Sequence, residues 1–317
     1  MLNNVVNKES SMFMNGKVKQ QGQHMIMTNV YKPTQKKYIN IDSRFQDPFQ
    51  ETRQTGLASF MYTLPQIIVD VKSIRVLGLE MCTGFYNFSE DMDNNYIHIG
   101  TNKITLSEDQ LFSSFGDLLE NLNMTISELQ AQVGNLEGQD TCVVFTMKSK
   151  SKKVSIENQS DSIKTINFHK NKGGTNDFEN IKSKLGWALG FRKAVYNLKP
   201  GDTIEAEGLF DITPTKYLYL VVEDYLKSNP NSFTSPLLNS LLNKTILARI
   251  PIDYRYFNSD YMSVLCFTDK DTLISDTRVY NGKSNLQRMK IELVNEFGKV
   301  INMNHMSFSF CLEVEYE

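Results

Sequence analysis

Along most of this 317-residue chain, apolar side chains recur in short runs at every second position, the period of a half-buried β-strand. Tyr38-Ile39-Asn40-Ile41 is the first such run, and Ala58 to Thr63 is the second. Beyond Pro65 the stretch Ile67 to Cys82 is the most β-like in the chain. Val69 and Val71 alternate there with Asp70 and Lys72, then Ile74 and Val76 alternate with Arg75. The phase slips by one near Ser73, which predicts a bulge or two strand segments. Tyr96–Ile99 and Lys103–Leu106 flank Gly100-Thr101-Asn102 and predict a hairpin. Further strands are expected at 141–147, 153–156, 163–168, 216–225, 245–252, 289–294 and 306–316. In the last of these Phe308, Phe310, Leu312, Val314 and Tyr316 alternate with Ser, Cys and Glu. Tyr217-Leu218-Tyr219-Leu220-Val221-Val222 is apolar on both phases, so that strand should be central in its sheet.

Helical spacing appears in few places. Ser107 with Gln110 has the form of a capping box, and Leu111, Phe112, Phe115, Leu118, Leu119 and Leu122 then fall on one face. Residues 127–133 read as a short second helix. Asn176 or Asp177 could cap a helix running through Phe178, Ile181 and Leu185, and Ser235-Pro236 opens a short helical turn. The apolar stripes read as core-facing surfaces. Lys148, Lys150, Lys152 and Lys153 read as a solvated hairpin edge. Many short strands with helices confined to connections make the fold class mainly β, a sandwich or barrel.

Residues 1–36 break this pattern. They are rich in Asn, Gln, Met and Lys, with Lys8, Lys17, Lys19, Lys32, Lys36 and the adjoining Lys37 set against one acid, Glu9. A polar, basic, non-periodic end predicts a flexible arm that orders on a partner. Residues 37–317 are then expected to form the β-sandwich, with a helical insertion near 107–135. The formal charge of −2 argues against a general nucleic-acid coat. Cys82, Cys142, Cys266 and Cys311 are widely spaced and predict buried, reduced thiols. No secretory pattern opens the chain, and no apolar run approaches the ~20 residues that cross a bilayer.

Catalysis needs groups that converge, and few are placed to do so. His24, His98, His169 and His305 lack metal-ligand spacing, and no nucleophile elbow, phosphate-binding loop or dinucleotide fingerprint is present. Asp91-Met92-Asp93-Asn94-Asn95 resembles the start of a calcium loop, but Tyr96 stands where the turn needs Gly and Asn102 where the bidentate Glu belongs. Glu205 with Glu207, and Glu313 with Glu315, pair only along a strand. No catalytic residue, cofactor site or metal site is therefore expected, and no sequence-specific nucleic-acid motif is visible.

Four segments together carry a likeness. They are Tyr38-Ile39-Asn40-Ile41-Asp42-Ser43-Arg44-Phe45; Val71 to Leu79 followed by Phe85-Tyr86-Asn87-Phe88-Ser89 and Asn94-Asn95-Tyr96-Ile97; Leu185-Gly186-Trp187-Ala188-Leu189-Gly190-Phe191; and Leu286 to Leu293 with Glu296-Phe297-Gly298-Lys299 and the final strand. In order and spacing the chain resembles the minor capsid and penton-like virion proteins of nucleocytoplasmic large DNA viruses. The resemblance implies a jelly-roll-like β-sandwich without enzymatic activity. It also implies a minor capsid protein that cements major capsid protein capsomers in the virion shell, made in the host cytoplasm. A penton at the vertex is the alternative. The implied partners are the major capsid protein and other minor capsid proteins; self-association and contact with an inner membrane stay open. In this reading the arm residues Lys17, Lys19, Lys32, Lys36 and Lys37 are the candidate partner contacts. Two further alternatives are an attachment or glycan-binding sandwich using Tyr217, Tyr219 or Tyr225, and a hydrolase built on scattered carboxylates.

Overall fold

The computed structural model describes residues 33–47, 56–106, 112, 114–133, 142–211, 213, 215–226, 245–253, 264–270 and 272–317. The strands that open the chain are β1 (Gln35–Asp42), β2 (Ser59–Ile68) and β3 (Val71–Cys82). Then come β4 (Tyr96–Ile99), β5 (Asn102–Thr105), helix α1 (Phe115–Val133), β6 (Val143–Lys148), β7 (Lys153–Asn158) and β8 (Lys164–Asn167). A single turn α2 (Leu185–Ala188) precedes β9 (Val195–Leu198) and β10 (Thr203–Glu205). The chain closes with β11 (Tyr217–Glu223), β12 (Ile246–Pro251), β13 (Val264–Thr268), β14 (Ile274–Ser275), β15 (Arg278–Val279), β16 (Leu286–Asn295) and β17 (Phe308–Tyr316).

Two five-stranded antiparallel sheets make a β-sandwich. One runs β1-β17-β3-β13, with β15 also on β3; the other runs β14-β12-β11-β16-β2. Alternation decides what each sheet buries. Ile74, Val76, Leu79 and Met81 of β3 and Phe308, Phe310, Leu312 and Val314 of β17 share one core with Leu218, Leu220 and Val222 of β11 and Met289, Ile291 and Leu293 of β16. β11 lies at the centre of its sheet. Its second phase, Tyr219 and Val221, packs on the outer side with Ile246 and Val294. The slip read near Ser73 is real: the register with β17 shifts between the Ser73 and Val71 pairs and again opposite Leu77. One detail differs, because Val69 and Asp70 form the turn before β3, with Asp70 at φ 52°. Pro65 does not end β2 either; the strand runs through it to Ile68. β2 is the edge of its sheet, where a missing N–H costs no ladder bond.

Between β3 and β11 the chain builds a second core. It takes in Phe88, Ile97, Ile99, Phe145, Ile156, Phe168 and Phe191 and is lined by the α1 residues Leu118, Leu122 and Ile126. The insertion is thus far larger than the helical piece near 107–135. It holds two small sheets, β5-β4-β8-β9 and β10-β7-β6, and no strand ladder among the described residues joins them to the sandwich. Helix α1 is one element of 19 residues, so the expected second helix at 127–133 is its own last turns. Ser107, Gln110 and Leu111 lie outside the described residues, as does Ser235-Pro236. Ser114 is the observed cap, its Oγ accepting the Asp117 N–H at 3.2 Å. Asn123 docks the helix on the edge strand β6, donating to the Phe145 carbonyl at 2.8 Å and accepting its N–H at 2.9 Å.

The helix expected through Phe178, Ile181 and Leu185 is absent. Ile181–Ser183 forms a 3₁₀ turn, Lys184 is extended at φ −86° and ψ 160°, and Phe178 is exposed. Lys184 is drawn instead into buried ion pairs, described below, which the apolar spacing does not encode.

Candidate assembly interface

β1 is an edge strand, laddered to β17 over eight residue pairs from Gln35↔Tyr316 to Asp42↔Ser309. Ile41 turns inward and is fully buried, whereas Tyr38 on the opposite phase is 60% exposed. The outer face of this sheet is a mosaic of charge. Lys36 Nζ lies 3.3 Å from both Glu313 and Glu315, and Arg75 reaches Glu313 at 3.5 Å and Asp269 at 3.7 Å. Ser73 Oγ donates to Glu315 at 3.0 Å, Ser309 Oγ donates to Glu80 at 2.8 Å, and Lys72 pairs with Glu317 at 3.1 Å. The hydrogen bond to Glu313, then that to Glu315, raises the Lys36 ammonium above its ordinary pKa. Half-exposed pairs of this kind stabilise little but keep a face polar and set which partner it accepts.

Past β1 the 3₁₀ turn Ser43–Phe45 presents Phe45 with 72% of its surface exposed. Arg44 holds that turn, its guanidinium bonded to both Asp42 oxygens at 2.5–3.0 Å and 5.7 Å from the Phe45 ring. The Arg44 hydrogen bonds keep the Asp42 carboxyl below its usual range, against a smaller upward push from burial. A cleft of about 310 Å³ opens beside the turn, floored by Phe60 and Phe308 and edged by Arg44, Gly56, Met303 and His305. An exposed aromatic next to a cleft and a charged sheet face suits protein–protein contact better than turnover of a small substrate. Nothing in the sequence pattern marks Phe45 as exposed, since it ends an alternating run.

The predicted contact residues separate. Lys36 and Lys37 lie on β1, so the strand begins at Gln35, inside the 36-residue limit expected for the arm. Lys37 is exposed, while Lys36 is already engaged with its own sheet. Lys17, Lys19 and Lys32 lie outside the described residues. The thiols need correction: none of the four forms a disulfide, but Cys266 is exposed and Cys82, Cys142 and Cys311 are half-buried. Cys82, Cys266 and Cys311 have apolar neighbours yet fall on the outward phase of β3, β13 and β17. Burial, then Glu80 and Glu313, pushes the Cys311 thiol up.

The alternative sites do not assemble. Glu313 and Glu315 are both neutralised by Lys36, each at 3.3 Å, with Arg75 also on Glu313, and Glu207 accepts the Tyr196 hydroxyl at 2.6 Å. Tyr219 is 5% exposed, and Tyr217 packs edge-on against it at 5.2 Å, with the Arg249 guanidinium 4.1 Å from the Tyr217 ring centroid. Tyr225 lies past the far end of β11, a strand that runs about 20 Å from Tyr217 to Glu223. The three tyrosines therefore make no exposed platform. Among the described residues no three His, Cys, Asp or Glu converge as a metal site. The corner motifs serve structure: Asn87 exchanges two hydrogen bonds of 2.9 Å with the Phe112 backbone, and Asn94 ties Ser89 N–H to the Asn87 carbonyl.

No protein-family model matches the chain, and no curated protein does. Among solved structures the chain is similar to the mavirus penton protein, at 11% identity and a TM-score of 0.41, over 89% of this chain and 100% of that one. The sandwich assignment stands on the two facing sheets themselves. No helix among the described residues is long and apolar enough to cross a membrane.

Proposed function

We propose that this chain is a structural component of the capsid of a large icosahedral DNA virus, a minor capsid protein that binds and cements major capsid protein capsomers. The observation that carries this reading is the edge strand β1. It anchors the basic residues 1–34 to the sandwich through a full ladder with β17, beside an exposed aromatic and a charged sheet face. A chain fixed at one end to a rigid sandwich can reach along neighbouring subunits and order as they assemble. Its partners are the major capsid protein and other minor capsid proteins, and its place is the virion shell.

Cross-linking mass spectrometry of purified virions tests the proposal. Links from Lys17, Lys19, Lys32 and Lys37 to the major capsid protein, at a copy number well above that of the vertices, are expected for a cement protein. A copy number matching the vertices replaces cement with penton. Absence from washed particles overturns the capsid reading altogether.

A further inference from the structure

In the small sheet β5-β4-β8-β9, strand β4 is buried on both faces. Ile97 and Ile99 enter the second core, while Tyr96 and His98 on the other phase of β4 meet a layer built from ions. Lys184, 3% exposed, pairs there with Asp93 and with Asp177 at 3.2 Å, and the Tyr96 hydroxyl donates to Asp93. Lys103 stands 4.5 Å from the Tyr96 ring centroid and pairs with Glu90 at 3.1 Å, while Lys172 reaches the same Glu90 at 2.8 Å. These contacts clamp the segment 169–184 against the sheet. His169 lies within that segment, its ring nitrogens bonded to the Ala194 carbonyl and to Asn176.

His98 is the unmatched member of the layer. It is 4% exposed, and its Nδ1 has no hydrogen-bond partner among the described residues. In register it sits between Lys103 of β5 and Asn167 of β8. The charges acting on it are cationic: Lys170 and His169 past β8, Lys103 across the hairpin, and Lys184 before α2. On its own strand it meets the edge of Tyr96 at 5.7 Å. The carboxylates of Glu90, Asp93 and Asp177 are committed to lysines and to Tyr96.

We propose that His98 is an acid sensor whose protonation releases the segment 169–184 from the small sheet, opening the insertion in mildly acidic surroundings. Burial first, and then the neighbouring lysines, push the closed-state imidazole down to about 4 from its ordinary 6.5. The open state takes up the proton near 6.5 and the closed state refuses it until near 4. Closure is therefore complete above 6.5, weakens as pH falls through that window, and changes no further below it. Hydrogen bonds from Lys172 and Lys103 hold Glu90 below its usual range. Burial pushes Asp177 up, but its bonds to Lys184 and Asn180 outweigh that push and leave it lowered. This device is independent of the capsid assignment.

Trp187, the single tryptophan, follows Lys184 by three residues and reports the opening. In the full chain, titrated from pH 7.5 to 4, Trp emission is expected to shift to the red with a midpoint between 4 and 6.5. His98→Gln should abolish that transition and His169→Gln should retain it, with far-UV circular dichroism at pH 7.5 confirming the fold. Lys170→Met leaves His98 in place, removes the foremost cation, and should move the midpoint upward. A wild-type chain without a transition, or an unmoved midpoint in both His98→Gln and Lys170→Met, overturns the proposal.

Discussion

Single residues decide whether the two sheets of the sandwich stay together at one end. Arg278, on β15 of the first sheet, crosses to the second. Its guanidinium donates to Asp224 at 2.5 Å and to the Val222 and Thr245 carbonyls at 2.7 and 2.9 Å. Tyr280 donates to the same Asp224 oxygen at 2.5 Å, and burial followed by that carboxylate raises its hydroxyl pKa far above the ordinary value. With Arg278 and Asp224 side chains 5% and 2% exposed, removing one partner strands a charge in the interior. Arg278→Ala is expected to lower unfolding free energy by about 3–5 kcal/mol. A lowered urea midpoint at unchanged slope would show it. Lys36→Ala, at the exposed outer face, should leave that midpoint where it is. Gly186 is the second sensitive position, because an added Cβ would fall 2.2 Å from Phe168 Cγ, inside the aromatic stack of Phe168 on Phe191. Gly186→Ala should cost about 1–3 kcal/mol through overpacking, measured by the same denaturant titration.

At the scale of elements, period carries most of what can be read without coordinates. β17 shows why: a strand with one wet face must alternate, and Phe308, Phe310 and Leu312 are buried while Ser309 and Cys311 are half-exposed. Phe310→Asp is expected to abolish folding, since it drives an unpaired carboxylate into the shared core, whereas Cys311→Ser on the other phase should keep a cooperative melt. Circular dichroism melts of the two variants separate these outcomes. The central place of β11 and the slip in β3 were legible for the same reason. What escaped was fixed by contacts distant in sequence. β14 and β15 are two-residue strands, and β13 alternates in burial but not in residue type, its sequence being Val-Leu-Cys-Phe-Thr. The missing helix near 178–185 gave way to the ion pairs of Lys184, with Asp93 ninety-one residues away. The motif Leu185 to Phe191 was visible as a pattern but not as a shape. Gly190 at φ +97° lets the chain turn so closely past Gly208 that any Cβ would come within 2.4 Å of its carbonyl. The candidate interface was only half legible, because Glu313 and Glu315 of β17 meet their bases on β1 and β3, joined by ladders that no local pattern announces.

Among the described residues one chain threads two large hydrophobic cores, with a small third cluster on the outer side of β11, and that arrangement has a consequence for how the molecule comes apart. Residues from Phe88 to Phe210 close the second core among themselves, with α1, two small sheets and the aromatic stack around Phe168. Among the described residues Met92 reaches from this block into the first core and Asn302 meets Asp91 at 3.5 Å, while just before it Tyr86 bonds the Asn302 carbonyl through its N–H at 3.0 Å and Asn304 through its hydroxyl at 2.7 Å. Units that share little buried apolar surface gain little from each other's folding, so they unfold as separate cooperative blocks. Hydrogen exchange followed by mass spectrometry across a urea series is expected to show β4–β10 and α1 losing protection together, at a urea concentration distinct from that of β3, β11, β16 and β17. Phe145→Ala, a truncation of about 3–5 kcal/mol in the second core, should shift only the first of these groups. A common shift of both would make the two cores one folding unit. Removal of residues 1–32 belongs to the same test, because β1 starts beyond that point and its ladder with β17 survives the cut. Protection in both blocks should be unchanged, and under the proposed capsid role incorporation into shells should fall; loss of protection in β17 would mean that the basic segment supports the sandwich itself.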